Sequence, residues 1–208
     1  LDQEAFWEPL MEVVRWSEHN VASTLCSCLA THALLKYQHG IDRRPLPAKK
    51  WGVYSHRVNQ PEHPLLRDIN TRFDAPHSRY NDISRAQLQD AGLPVLAGSA
   101  EGGVHMAVSP DGFRVVYFQG HPEYDSNSLL KEYKREVFRF LAGELDVPPP
   151  YPENYLSAEA KVIAQRFVEE AVEATAHGMP VPDFLEHEVQ PLLDNTWGDT
   201  AKAIFNNW

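Results

Sequence analysis

Two cysteines, Cys26 and Cys28, stand at the point where the residue pattern changes from that of a strand to that of a helix. Val21 to Leu25 suits a short buried strand, and Ala30, Ala33, Leu34 and Tyr37 then recur at helical spacing up to Gly40. A residue at such a turn faces the first N–H groups of the helix. Their field lowers a thiol's pKa and raises its thiolate fraction, and the same groups can hold an oxyanion. Cys28 therefore stands where a nucleophile is useful. Cys26 reads as a strand residue turned to the core, the usual place of a free cysteine. A Cys-x-Cys metal pair would need partners, and no second Cys/His pair of zinc-site spacing occurs.

The second chemical stretch is Gly120-His121-Pro122-Glu123-Tyr124-Asp125. His121 lies just past an apolar strand, Phe113 to Phe118, the position where α/β proteins place their chemistry. Glu123, two residues on, can reach the imidazole and fix its tautomer. Thiol, imidazole and carboxylate together make a Cys–His–Glu triad: the thiolate attacks, the imidazole moves the proton and the carboxylate stabilises the imidazolium. That constellation suits acyl transfer. Two further stretches are candidates for binding. Phe73 to Tyr80 is polar, aromatic and aperiodic, and reads as a loop. Residues 41–50 read as a second loop, whose Arg43, Arg44, Lys49 and Lys50 are either solvated or an anion contact beside the thiol. His56 reads as structural.

The elements that must position these groups follow from pattern. Residues 2–16 form an amphipathic helix with Phe6, Leu10, Val13 and Val14 as its stripe. Gly52 to Val58 alternates as a strand. Ser84 caps a short helix ended by Gly92. Strands over 95–97, 102–108 and 113–118 run as a meander, with Val104, Met106 and Val108 on one face and His105 on the other. Asp125 or Ser126 caps a long helix to about Gly143, buried through Leu130, Tyr133, Val137 and Leu141. Ser157 caps another, with Val162, Ile163, Phe167 and Ala171 inward, and a last helical pattern runs over 200–208. Strands alternating with helices indicate an α/β fold.

Composition bounds the function. The 208 residues can bury one substantial core. A net charge of -10 disfavours nucleic acid as a partner. No apolar run is long enough to span a membrane, and two cysteines only two residues apart cannot staple a fold, which suits a reducing compartment such as the cytoplasm.

Several runs resemble the homoserine O-succinyltransferase (homoserine transsuccinylase) family: Val21 to Cys28, Gly52-Val53-Tyr54, Ala75-Pro76-His77-Ser78-Arg79-Tyr80 and Gly120 to Asp125, in matching order and spacing. The resemblance covers residues 5–145 and returns at 196–208. It implies a class I glutamine amidotransferase-like, flavodoxin-like fold with a mostly parallel sheet flanked by helices. It also implies that further N-terminal strands precede Leu1 and that the family extends past Trp208. The expected organisation is a catalytic α/β domain over 1–147. A Pro-rich connector and C-terminal helical segment over 148–208 would pack on it.

By matching motif positions, the resemblance implies that Cys28 is the acyl-accepting nucleophile, His121 the base and Glu123 the orienting acid. Lys49, Ser78 and Arg135 correspond to substrate-binding positions, Arg135 for the amino-acid carboxylate, and the Leu29 backbone N–H to one oxyanion donor. The implied reaction moves a succinyl group from succinyl-CoA to the hydroxyl of L-homoserine, in methionine biosynthesis, with no metal or cofactor beyond the acyl-CoA substrate. A homodimer is compatible with it. Acetyl-CoA as donor and serine as acceptor stay open. A glutamine amidotransferase or Cys hydrolase on the same fold would carry the same triad without needing Ser78 or Arg135. A non-catalytic binding module would need no intact triad at all.

Overall fold

A computed structural model describes residues 1–208. They divide into two compact units: Leu1–Glu123 together with Trp197–Trp208, and Tyr124–Thr196.

The first unit is a six-stranded sheet between two sets of helical elements. Helix α1 (Trp7–Asn20) leads to β1 (Thr24–Ser27), α2 (Cys28–His39), β2 (Arg44–Val58), a 3-10 turn at Pro64–Leu66, β3 (Arg72–Asp82) and α3 (Arg85–Asp90). Then come β4 (Val95–Ser99), β5 (Gly103–Val108) and β6 (Val115–Phe118). The strand order is β1-β6-β5-β4-β2-β3. Along β6, Val115 and Tyr117 join a core that takes in Met11, Val14, Leu34, Leu35 and Leu88 from α1, α2 and α3. Val116 and Phe118 join the opposite core, with Leu65, Leu66, Phe73 and, from the last helix, Ile204. That two-sided alternation is the strand period of two, and it makes an α/β layer structure.

The α/β class and the flanking helices are as expected. The strand direction differs from a mostly parallel sheet. β1 pairs β6 in parallel, but β2–β3, β2–β4, β4–β5 and β5–β6 are antiparallel. Short connections explain the β4–β5 and β5–β6 pairs: the Pro110-Asp111-Gly112 turn, for example, returns β5 directly into β6, and a parallel return would need a crossover.

Three local readings are also corrected. Residues 44–50 and 73–80 are not loops; they belong to β2 and β3, the longest pairing in the sheet, with Trp51 opposite Ser78 and Val53 opposite Pro76. Pro76 fits because β3 is the edge strand. Val104, Met106 and Val108 do not share a face. Ala97 pairs Met106 while Gly98 pairs Val104, so His105 is an extra residue on β5. This bulge turns Val104 to the helix side and leaves the His105 ring beside Phe73 and Phe118, with centroids 5.8 and 5.2 Å away. In α1 the inward stripe is Met11 and Val14 with Ser17, and Val13 faces solvent. The last helix, α7 (Gly198–Asn207), returns to this unit. The Asn207 amide donates to the Leu65 and Arg67 carbonyls, and the Trp208 indole to Ser23.

The second unit contains α4 (Ser128–Leu141), α5 (Ala158–Ala176) and α6 (Glu186–Val189). Ser157 caps α5 by accepting from the Ala160 N–H at 3.1 Å, as expected. The inward face of α5 is Ala160, Ala164, Phe167, Val168, Ala171 and Ala174, so Val162 lies outside it. No helix of the chain is long and apolar enough to cross a membrane.

Candidate active site

β1 and β6 run in the same direction with Ser27 opposite Phe118. The residues just past both strands therefore emerge at one edge of the sheet, and these are Cys28 and the Gln119-Gly120-His121 turn. Cys28 opens α2 with φ of 48°, a left-handed conformation that a non-glycine residue adopts only where the surroundings enforce it. Thr31 supplies part of that enforcement. Its buried hydroxyl lies 3.0 Å from the Cys26 carbonyl and 2.7 Å from the Phe118 carbonyl, tying the first turn of α2 to the ends of both strands. Gln119 is fixed likewise: its amide oxygen accepts from the Ile83 N–H at 2.8 Å and its amide nitrogen donates to the Ile83 carbonyl at 2.8 Å.

His121 is held twice. Its backbone N–H donates to the Pro76 carbonyl of β3 at 2.8 Å. Its ring Nδ1 lies 2.8 Å from Glu123 Oε1, and the ring also hydrogen-bonds the Cys28 side chain. Burial by itself would lower the imidazole pKa. The bonds with Cys28 and Glu123 and their charges outweigh it and raise it to about 9. For Glu123, burial pushes the carboxyl up, but the His121 bond, its own backbone N–H and the Ser27 hydroxyl bring the balance below the usual value. The three groups thus form one connected chain, thiol to imidazole to carboxylate, poised to keep the imidazole protonated beside the thiol. The Cys28 Sγ also lies 3.8 Å from the Ser78 carbonyl.

Cys26 has the opposite character. It is buried in the core against α1, α2 and α3, and burial raises its thiol pKa to about 12, against a lowering from the Thr31 hydroxyl. At neutral pH it is a neutral thiol and no nucleophile.

Ser78 lies against the thiol through its carbonyl. Lys49 lies in β2 two residues before Trp51, the register partner of Ser78, with its ammonium 3.9 Å from the centre of the Trp51 ring. Leu29 is the first residue after Cys28, exposed, with its N–H in the first turn of α2. Arg135 belongs to the second unit, on α4, where its guanidinium donates to Glu136 at 3.2 Å. One contact had no sequence signal: the Ser27 hydroxyl donates to Glu123 Oε1 at 3.1 Å. Only the parallel register of β1 and β6 brings those residues together.

A family model for homoserine O-succinyltransferase matches residues 1–208. The chain is 58% identical over 208 residues to the homoserine O-succinyltransferase of Methylococcus capsulatus and 57% identical to that of Thiothrix nivea. In both cases the match takes in 100% of this chain, and 59% and 58% of the relative. The chain thus spans about three-fifths of the length of the curated relatives it matches. Among solved structures, a glutamine amido transferase from Methylobacillus flagellatus superposes with a TM-score of 0.52 at 12% identity, over 98% of this chain and 67% of that one. That likeness carries the fold alone. The chain belongs to the homoserine O-succinyltransferase family.

Proposed function

We propose that this chain carries the nucleophile, base and orienting acid of an acyltransferase that moves a succinyl group from succinyl-CoA to the hydroxyl of L-homoserine, a step of methionine biosynthesis. The observation that carries the reading is the Cys28–His121–Glu123 chain at a strand-to-helix elbow, in a sequence 58% identical to a homoserine O-succinyltransferase.

In the first half-reaction the Cys28 thiolate attacks the thioester carbonyl. Carbanion-free acyl transfer of this kind needs only a nucleophile, a proton carrier and a home for the oxyanion. The Leu29 N–H, in the orphan first turn of α2, is one donor for that oxyanion. As the tetrahedral intermediate collapses, the carbon–sulfur bond to CoA breaks and the imidazolium of His121 gives its proton to the departing thiolate. In the second half-reaction neutral His121 takes the γ-hydroxyl proton of homoserine, the alkoxide attacks the acyl-cysteine, and the Cys28 thiolate leaves beside a restored imidazolium. Glu123, hydrogen-bonded to Nδ1, keeps the opposite ring nitrogen turned to the thiol through both halves. Ser78 and Lys49 border this end of the β2–β3 pair and suit contacts to the substrates. Arg135 offers a planar guanidinium for the homoserine carboxylate. A reactive free thiol and a biosynthetic role suit the reducing cytoplasm.

The test is an acyl-enzyme trap on the complete protein. With succinyl-CoA and no acceptor, a succinyl mass is expected on the peptide holding Cys28, and L-homoserine should discharge it. An acetyl adduct from acetyl-CoA in its place would change the donor and keep the mechanism. No adduct from either donor would overturn the reading.

A further inference from the structure

Beneath the triad lies a cluster that the reaction as written does not use. His56 of β2, His77 of β3 and His105 of β5 are all buried, and their ring nitrogens include a set lying within 4.8 Å of one another. His56 Nε2 is 2.9 Å from His77 Nε2, and His105 stacks on His56 with centroids 5.0 Å apart. Arg79, buried on the same strand as His77, donates from Nη1 to His77 Nδ1 and from Nη2 to Asp82 Oδ1 at 2.8 Å and the Gly102 carbonyl at 2.9 Å.

Three clustered histidines invite a metal, but the proton order argues against one. A guanidinium has no acceptor, so His77 Nδ1 must accept. The His77 proton is then on Nε2, which donates to His56 Nε2 and places the His56 proton on Nδ1. A cation would need the Nε2 lone pairs that this order commits, and it would sit beside the fixed positive charge of Arg79. The same charge and burial keep His56 and His77 neutral, His56 down to about 3. The chain from Asp82 through Arg79 and His77 to His56 is therefore a network with one proton arrangement. Its last donor, His56 Nδ1, and the His105 Nδ1 have no partner, a cost that a purely structural core of this size would avoid with apolar side chains.

What the network touches gives it a role. A Cβ at Gly120 would come within 2.8 Å of the Pro76 carbonyl, 2.8 Å of His105 Nδ1 and 2.9 Å of His77 Cε1. The turn that delivers His121 is thus laid directly on the His77 and His105 rings. The residues flanking His77 meet the triad through their backbones: the Pro76 carbonyl accepts from the His121 N–H, and the Ser78 carbonyl lies against Cys28 Sγ. We propose that the His56–His77–Arg79–Asp82 network is a positioning device, which fixes β3 and the Gly120 turn so that the Cys28 thiol and the His121 imidazole stay in hydrogen-bonding register. His77 and Arg79 are its central positioning residues; neither meets the reacting atoms. The inference rests on the Cys28–His121 pair and not on the identity of the substrates.

Alkylation of Cys28 by iodoacetamide at pH 7, followed on its own peptide in the complete protein, reads that register without any acyl donor. His77→Phe keeps the ring volume and removes both hydrogen bonds. His77→Asn retains an acceptor for Arg79, and His77→Gln a donor for His56. With folding checked by circular dichroism and melting temperature, His77→Phe is expected to alkylate roughly tenfold or more slowly, with Asn and Gln between it and the wild type. A role in folding alone would lower the melting temperature and leave the rate of the folded protein unchanged. That result in His77→Phe, or in both Asn and Gln variants if the Phe variant does not fold, overturns the proposal. So does a stoichiometric transition metal in the wild type that His77→Phe loses. Failure of the succinyl trap with this alkylation series intact would fault the substrates and not the network.

Discussion

Replacing Glu123 by Gln removes one negative charge from the triad and keeps its shape, and its effect can be worked out in sign and size. The His121 pKa is raised from 6.5 to about 9 against the lowering that burial alone would give. At about 1.4 kcal/mol per pH unit this is a preference for the imidazolium of about 3 kcal/mol, shared between Cys28 and Glu123. The Glu123 side chain is 45% exposed, so water screens its portion, and about 1 kcal/mol is left to the substitution. A raised histidine pKa contributes stability that is complete below 6.5 and is lost as pH rises through about 9. The lowered carboxyl of Glu123 contributes stability above its ordinary 4.5 that is lost as pH falls. The attraction between imidazolium and carboxylate therefore stabilises most between pH 4.5 and 6.5 and fades above about 9, where the carboxylate keeps only its bonds from Ser27 and the backbone. Melting of wild type and Glu123→Gln at pH 6 should differ by about 2 °C, and the curves should converge at pH 10. Turnover at pH 7 should drop by about 10²–10⁴, because the tautomer facing the thiol is no longer held. An equal melting difference at both pH values, or none at either, would refute the argument that the carboxylate is what supports the imidazolium.

Three other substitutions separate the roles of neighbouring groups. Cys28→Ala should abolish acyl-enzyme formation and turnover, while Cys26→Ala keeps most turnover and costs about 1 kcal/mol in urea unfolding; equal loss of activity from both would sink the assignment of the nucleophile. Gly120→Ala brings a Cβ against the Pro76 carbonyl, which cannot move without taking the His121 N–H with it. It should cost about 1–3 kcal/mol and lower turnover, and a variant as stable and active as wild type would contradict the close packing. Thr31→Val, isosteric but without the hydroxyl that meets the Cys26 and Phe118 carbonyls, should destabilise by about 1–2 kcal/mol, measured by chemical denaturation.

The chemical groups were readable because their signals are local, and the parts that hold them were not, because theirs are non-local. Cys28 stands at a change of hydrophobic period and His121 just past an apolar strand; each can be found within ten residues of itself. β3 hides its period. Its inward positions are Phe73, Ala75, His77 and Arg79, and two of those four are residues that normally mark solvent. They can be buried only because His56, Asp82 and the Gly102 carbonyl are there to meet them; Asp82 ends the same strand, but His56 comes from β2 and Gly102 from the turn before β5. A strand whose core face is polar therefore reads as a loop until its partners are known. The helices show a weaker form of the same limit. In α1 and α5 the helical period is plain, yet Val13 and Val162 point outward at 61% and 69% exposure, since a wide apolar stripe leaves its centre to be chosen by what packs on it.

Ser27 is a further residue whose partner is set by strand pairing. From the sequence it is an unremarkable serine beside a cysteine. In the fold, the parallel pairing of β1 with β6 sets its hydroxyl on the Glu123 carboxylate, while the next residue presents the thiol to His121. One strand end thus touches both ends of the triad. A shift of β1 by a single residue would exchange the side chains facing the two cores, turning Ser27 to the core that now holds Cys26 and Cys26 away from it. The register is held by Cys26 packing into the helix-side core and by Thr31 bridging the two strand ends. The buried cysteine and the buried threonine accordingly determine where Cys28 stands.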